Sequence, residues 1–172
     1  TYSNSFGGLK EGTYSSVTIN DQKEAYRAVE LLIRQGHKKI ALLLDSKQDR
    51  SISELRYKGY RQALADYDIF FDEELVEETG KFDMESAYEA MRRLIWRRDD
   101  FTAAFVIADS MAVAAMKALA DEGWHVPEDC SVIAIDGIQM SAYTVPTLTT
   151  LVQPSEELGT NSVRILLDMV EN

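Results

Sequence analysis

The sequence is poor in cysteine and in basic residues. Cys130 is the single cysteine among 172 residues, so no disulfide can form within the chain, and a reducing cytoplasm fits this composition. The 18 lysines and arginines are outnumbered by 29 aspartates and glutamates, which gives a formal net charge of −11 and no electrostatic footprint for a phosphate backbone. No apolar run is long enough to cross a membrane. No signal peptide is visible, but the chain begins at Thr1 without a methionine, so this absence has no weight. We therefore expect a cytoplasmic protein without a membrane partner.

The sequence also lacks the motifs of common catalytic and cofactor sites. The pair Gly7-Gly8 and the isolated glycines do not have the spacing of a phosphate-binding loop, and no Gly-x-Ser-x-Gly elbow is present. His37 and His125 lie far apart, and Cys130 has no neighbours at the spacing of metal ligands. We therefore expect a protein with no cofactor, no metal site and no enzymatic activity.

What the chain does have is a regular alternation of strand and helix patterns. Two predicted strands, at residues 39–44 and 103–107, carry runs that are apolar on both faces (residues 40–44 and 103–107), as in the middle of a parallel sheet. Asp21 with Glu24 indicates a helix start. The other predicted strands cover residues 16–19, 75–78, 132–135 and 148–152, and the predicted helices cover residues 21–36, 51–67, 83–97, 109–123 and 155–169. The alternation and the short connections predict an α/β fold, a doubly wound parallel sheet with helices on both faces.

Ligands of such sheets bind beyond the carboxyl ends of the strands. Asp45, Asp109 and Asp136 follow predicted strands, and we interpret Asp109 as the N-cap of the next helix. These carboxylates could also form the acidic pocket of a receiver-like or phosphotransfer domain. A receiver needs a lysine at a later strand end, and no strand end from Ala108 onward offers one. The pattern therefore favours a binding site and keeps catalysis as the weaker alternative.

The segment from Pro146 to Gly159 combines a strand, a sharp stop and a new helix. Pro154 ends the strand because proline cannot donate to a sheet ladder, and Ser155 can cap the helix that follows. The pattern Pro146-x-Leu148-Thr149-Thr150-x-x-Gln153-Pro154 resembles a signature of the lactose-repressor/galactose-repressor family of bacterial transcription regulators. Similar segments follow the family in order between Val17 and Leu167, namely Val17-x-x-Asn20-Asp21, Leu32-Ile33-x-x-Gly36-His37-x-x-Ile40-Ala41, Arg56-x-x-Gly59-Tyr60-x-x-Ala63-Leu64, Asp109-x-Met111-Ala112 and Val126-Pro127-x-Asp129-x-Ser131-Val132-Ile133-x-x-Asp136.

The resemblance implies an effector-binding domain whose two lobes close on a ligand, similar to a periplasmic sugar-binding protein. On that template residues 39–152 form the complete C-terminal lobe, residues 1–38 belong to the N-terminal lobe, and residues 153–172 return to it. Most of the N-terminal lobe and the DNA-binding helix-turn-helix are then absent. Because the chain also begins at Thr1 without a methionine, we expect it to be a fragment or an engineered domain. Its N-lobe helices would carry apolar faces that no sheet covers.

The resemblance also implies a function. We expect a ligand-sensing domain that binds a small polar metabolite, a sugar or a sugar derivative, without converting it. The bound ligand would favour one arrangement of the lobes and so control, allosterically, DNA binding by the missing domain. A periplasmic or extracellular sugar-binding receptor has the same architecture and is the alternative.

Two charged residues are the first candidates for the ligand site. Arg56 offers a planar fork of donors and matches the arginine that similar repressors use on their effectors. Asp136 stands at the end of a strand and matches a ligand-binding aspartate of the family. The alternatives are that Arg56 pairs only with Glu54 or Asp49 and that Asp136 only caps the following segment.

Three further ligand candidates come from the resemblance. Phe82 matches the stacking aromatic of the family, Gln153 matches a hinge glutamine that faces the cleft, and Arg50 is similar to an arginine of the purine repressor. For Phe82 the alternative is packing in the core.

The resemblance also implies a partner surface. In similar repressors the helix equivalent to residues 109–122, and the tyrosine segment before Pro-x-Leu-Thr-Thr, line a two-fold dimer interface. Those positions are Val113 and Tyr143 in this chain, so we expect a homodimer. The alternative for Val113 is an isolated exposed apolar residue, which is common on protein surfaces.

Overall fold

The computed structural model describes residues 17–46 and 52–171, and the chain divides into two compact units. The larger unit is Asp21–Val152. Of the other unit, Thr1–Asn20 with Gln153–Asn172, the structure describes residues 17–20 and 153–171. The strand predicted at residues 16–19 is wrong as far as it lies in the described part, because residues 17–20 have no regular structure. A strand needs a hydrogen-bonded neighbour, and the described residues of this unit contain no other strand to pair with.

The larger unit is built on one sheet of five parallel strands. They are β1 Ile40–Leu44, β2 Val76–Glu78, β3 Ala103–Val106, β4 Ser131–Asp136 and β5 Thr149–Val152, and their order across the sheet is β2-β1-β3-β4-β5. The register places Ile40 beside Ala103 and Phe105 beside Ile133. The predicted parallel α/β sheet is therefore confirmed.

The apolar runs that predicted β1 and β3 lie at the centre of the sheet. Every residue of both strands is buried, as expected where helices cover both faces. The last strand, β5, lies at an edge and leaves Thr149 and Val152 exposed. The core of the unit is thus centred on β1 and β3.

The described residues form five α-helices: α1 Asp21–Arg34, α2 Ile52–Asp66, α3 Met84–Arg97, α4 Asp109–Asp121 and, in the smaller unit, α5 Ser155–Glu171. Helix α1 packs against α2, α3 packs against α4, and both pairs contact the sheet. Asp83 caps α3 as predicted, since its Oδ1 accepts a hydrogen bond from the backbone N of Ser86 at 2.7 Å. The prediction for α4 is wrong by one residue, because Ala108 is the N-cap and Asp109 is the first helical residue.

Helix α1 belongs to the larger unit, although our predicted boundary placed residues up to Lys38 in the N-terminal lobe. Its apolar stripe is buried, at positions Ala25, Ala28, Val29 and Leu32. Gly59 of α2 approaches α1 so closely that a Cβ at this position would lie 2.8 Å from Ala25 Cβ. The stripe predicts that α1 packs on something apolar, but the period alone does not say which unit provides that surface.

Helix α5 carries an exposed apolar face of five residues, Val163, Leu166, Leu167, Met169 and Val170. None of the described helices combines the length and the apolar character that a membrane span requires.

Candidate functional site

The strand order reverses between β1 and β3, which is the topological switch point of this sheet. Open sheets bind ligands beyond the carboxyl ends of the strands at such a point. Arg56 of α2 reaches this edge, because its Nη1 donates to the carbonyl oxygen of Ile107, directly after β3. The candidate site is therefore built at this edge of the larger unit.

A buried ion pair holds Arg56 in place. Its Nη2 and Nε lie 2.8 and 2.9 Å from Oδ1 of Asp21, the first residue of α1. Only 1% of the Arg56 side chain and 8% of the Asp21 side chain are exposed. Glu54, one of the alternative partners of Arg56, instead forms an ion pair with Lys58 at 2.7 Å. The ion pair therefore joins α1 to α2 and also holds the Arg56 side chain at the candidate site.

Asp136 ends β4, and its carboxylate lies beside Arg56. Its Oδ1 is 3.8 Å from Arg56 Nη1, and its Oδ2 accepts from the backbone N of Asp109 at 3.3 Å. In contrast to Arg56, 21% of the Asp136 side chain is exposed. The structure thus brings Arg56 and Asp136 together and leaves Asp136 as the accessible end of the charged series Asp21, Arg56 and Asp136. An accessible carboxylate of this kind accepts hydrogen bonds from hydroxyl groups.

Asp109 has a structural role in this site that the sequence did not reveal. Its carboxylate is fully buried and accepts hydrogen bonds from the backbone N atoms of Gly137 and Ile138 and from the hydroxyls of Ser141 and Thr150. These partners follow Asp109 by 28 to 41 residues, so no local pattern relates them to it. The available sequence signal was that an acidic residue stands in the first turn of a helix, where the positive end of the helix dipole favours a negative charge.

Gly137 shapes the turn that follows Asp136. Its φ is +75°, and a Cβ at this position would lie 2.8 Å from atoms of Val152, at the end of β5. Only glycine satisfies both the backbone angle and the close approach. The turn therefore brings the ends of β4 and β5 together beside the Asp136 carboxylate.

Phe82 lies on the connection between β2 and α3, at the same edge of the sheet. The backbone N of Gly80 donates to the carbonyl oxygen of Asp45 at 2.9 Å, which ties this connection to the end of β1. The Phe82 side chain is 49% exposed, so the ring is not packed in the core. An exposed ring at a ligand edge can stack on a planar or C–H-rich face of a ligand.

The two remaining ligand candidates lie outside the described residues of the larger unit. Gln153 belongs to the smaller unit, where its carbonyl oxygen accepts from the backbone N of Ser155 at 2.8 Å. Arg50 lies outside the described residues, as does Asp49, the other alternative partner of Arg56. The ligand contacts of all five candidates stay predictions.

The surroundings of the two histidines and the cysteine indicate structural roles for these side chains. Nδ1 of His37 lies 2.8 Å from Thr102 Oγ1, and burial lowers the pKa of this histidine. Nδ1 of His125 lies 2.9 Å from Asp129 Oδ2. Burial raises the pKa of the Cys130 thiol to about 12, which keeps the nucleophilic thiolate scarce. In the described part of the chain, no group of three or more His, Cys, Asp or Glu side chains could hold a metal ion.

The two predicted interface residues differ in exposure. Val113 of α4 is partly buried and packs against the core, whereas Tyr143, after the 3-10 turn Gln139–Ala142, is 75% exposed. Helix α4 is buried over a broader arc than its apolar stripe predicts, because α3 packs against it. The buried apolar residues of α4 are Met111, Ala112, Ala114, Ala115, Met116, Ala118 and Leu119. The dimer role of both residues stays a prediction.

Comparisons with known proteins give a consistent family. Residues 29–172 match the family of the periplasmic binding protein-like domain. The HTH-type transcriptional regulator MalR of Clostridium butyricum is 38% identical over 157 residues, which cover 91% of this chain and 46% of MalR. A solved complex of the transcriptional regulator CelR with cellobiose superposes with a TM-score of 0.88 at 34% identity, covering 95% of this chain and 50% of the CelR chain. A LacI family transcriptional regulator from Enterococcus faecium with bound ribose has a TM-score of 0.85 at 31% identity, covering 95% and 60%.

This chain spans about half the length of the relatives it matches. These relatives are transcription regulators. The family match extends over most of the chain, which confirms the resemblance predicted from Pro146–Pro154 and the accompanying motifs. This chain belongs to the periplasmic binding protein-like domain family, in the form that regulators of the lactose-repressor/galactose-repressor family carry.

Proposed function

We propose that this chain is the ligand-sensing part of a bacterial transcription regulator, which binds a sugar or a sugar derivative without converting it. The observation that carries the proposal is the accessible carboxylate of Asp136 beside the buried Arg56, at the carboxyl edge of the sheet. The solved relatives with cellobiose and with ribose support sugar chemistry. The HTH-type regulators among the relatives favour a regulator over a periplasmic or extracellular receptor.

The charges at this edge suit a ligand that is rich in hydroxyl groups. The carboxylate of Asp21 is paired with Arg56, and that of Asp109 accepts four hydrogen bonds from its own chain. The Asp136 side chain is 21% exposed, and a carboxylate can accept several hydrogen bonds, so it can also accept from hydroxyls of a ligand. An anionic ligand would be repelled by the same carboxylate. The described residues therefore favour a neutral polyhydroxy ligand.

We assign a different role to each candidate residue. Asp136 contacts the sugar directly, and the positive charge of Arg56 attracts and supports the Asp136 carboxylate. Phe82 offers a stacking surface for the C–H face of the sugar. Gln153 and Arg50 stay in the proposed ligand set on the family resemblance alone. Because these residues come from separate segments, a ligand that contacts all of them would favour one arrangement of the lobes.

The same arrangement would carry the signal to DNA. In the complete regulator the ligand changes the position of a helix-turn-helix outside this chain and so controls operator binding. We propose that the regulator acts in the cytoplasm as a two-fold symmetric homodimer, in which Val113 and Tyr143 lie near their symmetry mates.

A ligand screen followed by calorimetry tests the proposed site. Thermal shifts of the full-length protein with a panel of mono- and disaccharides, including cellobiose and ribose, identify the sugar, because a bound ligand raises stability by mass action. Asp136→Asn should then weaken the binding of that sugar by roughly 1.5–3 kcal/mol, the range for a hydrogen bond to a charged group. Asp99→Asn is the matched control, since Asp99 is exposed and precedes β3 at the opposite end of the sheet. Equal affinity in wild type and Asp136→Asn, or no binding of any sugar, would contradict the proposal.

The regulator part of the proposal has a separate test in the gene. The coding sequence upstream of Thr1 should encode a helix-turn-helix in the same reading frame. A secretory leader at that place would instead identify a receptor that works outside the cytoplasm.

A further inference from the structure

The buried carboxylate of Asp109 joins segments that are distant in sequence. Oδ2 accepts from the backbone N of Gly137 at 3.0 Å, from the backbone N of Ile138 at 2.9 Å and from Ser141 Oγ at 2.6 Å. Oδ1 accepts from Thr150 Oγ1 at 2.6 Å. The first residue of α4 is thereby bonded to the turn after β4 and to β5. We call these five residues the Asp109 clamp.

Thr150 links two parts of the clamp directly. Its hydroxyl donates to Asp109 and also accepts from the backbone N of Gly137 at 3.2 Å. The amide of Gly137 is thus shared between the Asp109 carboxylate and the Thr150 hydroxyl. Removing the Thr150 hydroxyl would leave one oxygen of a buried carboxylate without this donor, which is costly in a low-dielectric interior.

The clamp fixes the backbone on which Asp136 stands. Gly137 follows Asp136 directly, and the backbone N of Asp109 donates to Asp136 Oδ2 at 3.3 Å. In contrast, Arg56 Nη1 lies 3.8 Å from Asp136 Oδ1, too far for a direct hydrogen bond. Arg56 therefore attracts the Asp136 carboxylate without a direct hydrogen bond, whereas the backbone N of Asp109, the central residue of the clamp, donates to it directly.

We infer that Asp109 is a positioning residue, which holds the Asp136 carboxylate through the clamp at the place where it meets the ligand. Asp109 is fully buried and does not itself touch the ligand. The inference rests on the proposed ligand role of Asp136 and deepens it. It predicts that the geometry of the clamp, and not only its contribution to folding, sets the affinity for sugar.

A matched pair of substitutions at Thr150 separates the effect of losing the hydroxyl group from the effect of changing the size of the side chain. Thr150→Ser keeps the hydroxyl that donates to Asp109, whereas Thr150→Val removes it and keeps the shape of the side chain. We expect Thr150→Val and Asp109→Asn to weaken binding of the sugar found in the panel by about tenfold or more, and Thr150→Ser to bind within about twofold of wild type. Circular dichroism and urea unfolding establish that each variant is folded.

A second measurement needs no ligand. Amide hydrogen exchange at Gly137 and Ile138, and the 13C resonance of the Asp136 carboxyl group, report on the clamp and on the residue it positions. In Thr150→Val we expect exchange at both amides to be faster by about tenfold and the Asp136 resonance to shift. In Thr150→Ser we expect both to stay as in wild type.

The possible outcomes separate this inference from the proposed function. Unchanged sugar affinity and an unchanged Asp136 resonance in folded Thr150→Val and Asp109→Asn would overturn the positioning role, even where Asp136→Asn abolishes binding and so supports the proposed function. If no sugar binds, or Asp136→Asn binds like wild type, the proposed function fails and the Asp136 resonance decides on positioning alone. If Asp109→Asn does not fold, the Thr150 pair gives the answer.

Discussion

Arg56 and Asp21 form a buried ion pair that joins α2 to the first residue of α1. Two guanidinium nitrogens of Arg56 lie 2.8 and 2.9 Å from the same carboxylate oxygen of Asp21. The third nitrogen, Nη1, donates to the carbonyl oxygen of Ile107 and faces Asp136. The same side chain therefore contributes both to the packing of α1 and to the proposed ligand edge.

Removing Asp21 should be far more damaging than removing the acidic partner of a surface ion pair on the same helix. Asp21→Ala removes the hydrogen-bonded counter-charge of the buried Arg56 guanidinium and leaves only the more distant Asp136, so we expect the free energy of unfolding to fall by about 3–5 kcal/mol. Glu24→Ala is the control, because Glu24 pairs with Arg27, whose side chain is exposed, and such pairs contribute at most about 1 kcal/mol. Urea unfolding measures both. Equal losses in the two variants would show that the Arg56–Asp21 pair does not stabilise the fold.

Two glycine-to-alanine substitutions should have opposite effects on stability. A Cβ at Gly59 would lie 2.9 Å from the backbone N of Tyr26 and would also collide with the carbonyl oxygen of Gln22, so Gly59→Ala should destabilise by about 1–3 kcal/mol. A Cβ at Gly159 in α5 meets no atom within 4 Å, so Gly159→Ala should stabilise by about 0.5–1 kcal/mol through helix propensity. Thermal unfolding of both variants checks the sign. A stabilising Gly59→Ala would mean that α1 and α2 are packed less closely than described.

Acid should weaken the ion pairs around Arg98. This guanidinium donates to Asp72 at 2.6 Å and to Asp100 at 3.0 Å, and it lowers the pKa of both carboxyls below their ordinary value of 3.8. A lowered folded-state pKa means that their contribution to stability is present above about pH 4 and is lost as the pH falls through the lowered pKa. We therefore expect Asp100→Asn to destabilise at neutral pH and its effect to shrink below pH 4. Urea unfolding at several pH values measures this, with Asp99→Asn as control; a pH-independent effect of Asp100→Asn would refute the pairing.

Cys130 should be unreactive in the folded protein. The side chain is fully buried, and burial raises the pKa of its thiol to about 12, so the thiolate is scarce at pH 8. Alkylation by iodoacetamide should therefore be very slow without denaturant and fast in concentrated urea. Mass spectrometry of timed samples follows the label. Native alkylation at the denatured rate would show that Cys130 is exposed to solvent.

Local patterns predicted most of the elements in the larger unit. The fully apolar runs at β1 and β3 predicted central strands because a strand covered on both faces has no polar positions. Asp83 predicted the start of α3, since N-capping depends only on residues three positions apart. These signals are contained within one segment, which is why sequence alone shows them.

The contacts of the site depend instead on residues far apart in the chain. Asp21 and Arg56 are separated by 35 residues, and Asp109 and Thr150 by 41, so neither pairing has a local signature. The resemblance predicted Arg56 and Asp136 as ligand candidates, but it did not predict that Arg56 would form a buried ion pair with Asp21. Helix α1 shows the same limit, because its stripe predicts burial without naming the surface that buries it.

The most direct test of the account is a crystal structure of the full-length protein with the sugar identified by the panel. We expect at least one ligand hydroxyl within about 3.2 Å of an Asp136 carboxylate oxygen, the distance range of a hydrogen bond. The Asp109 clamp should keep the contacts described here. A sugar bound elsewhere, with Asp136 facing only solvent, would contradict the proposed site.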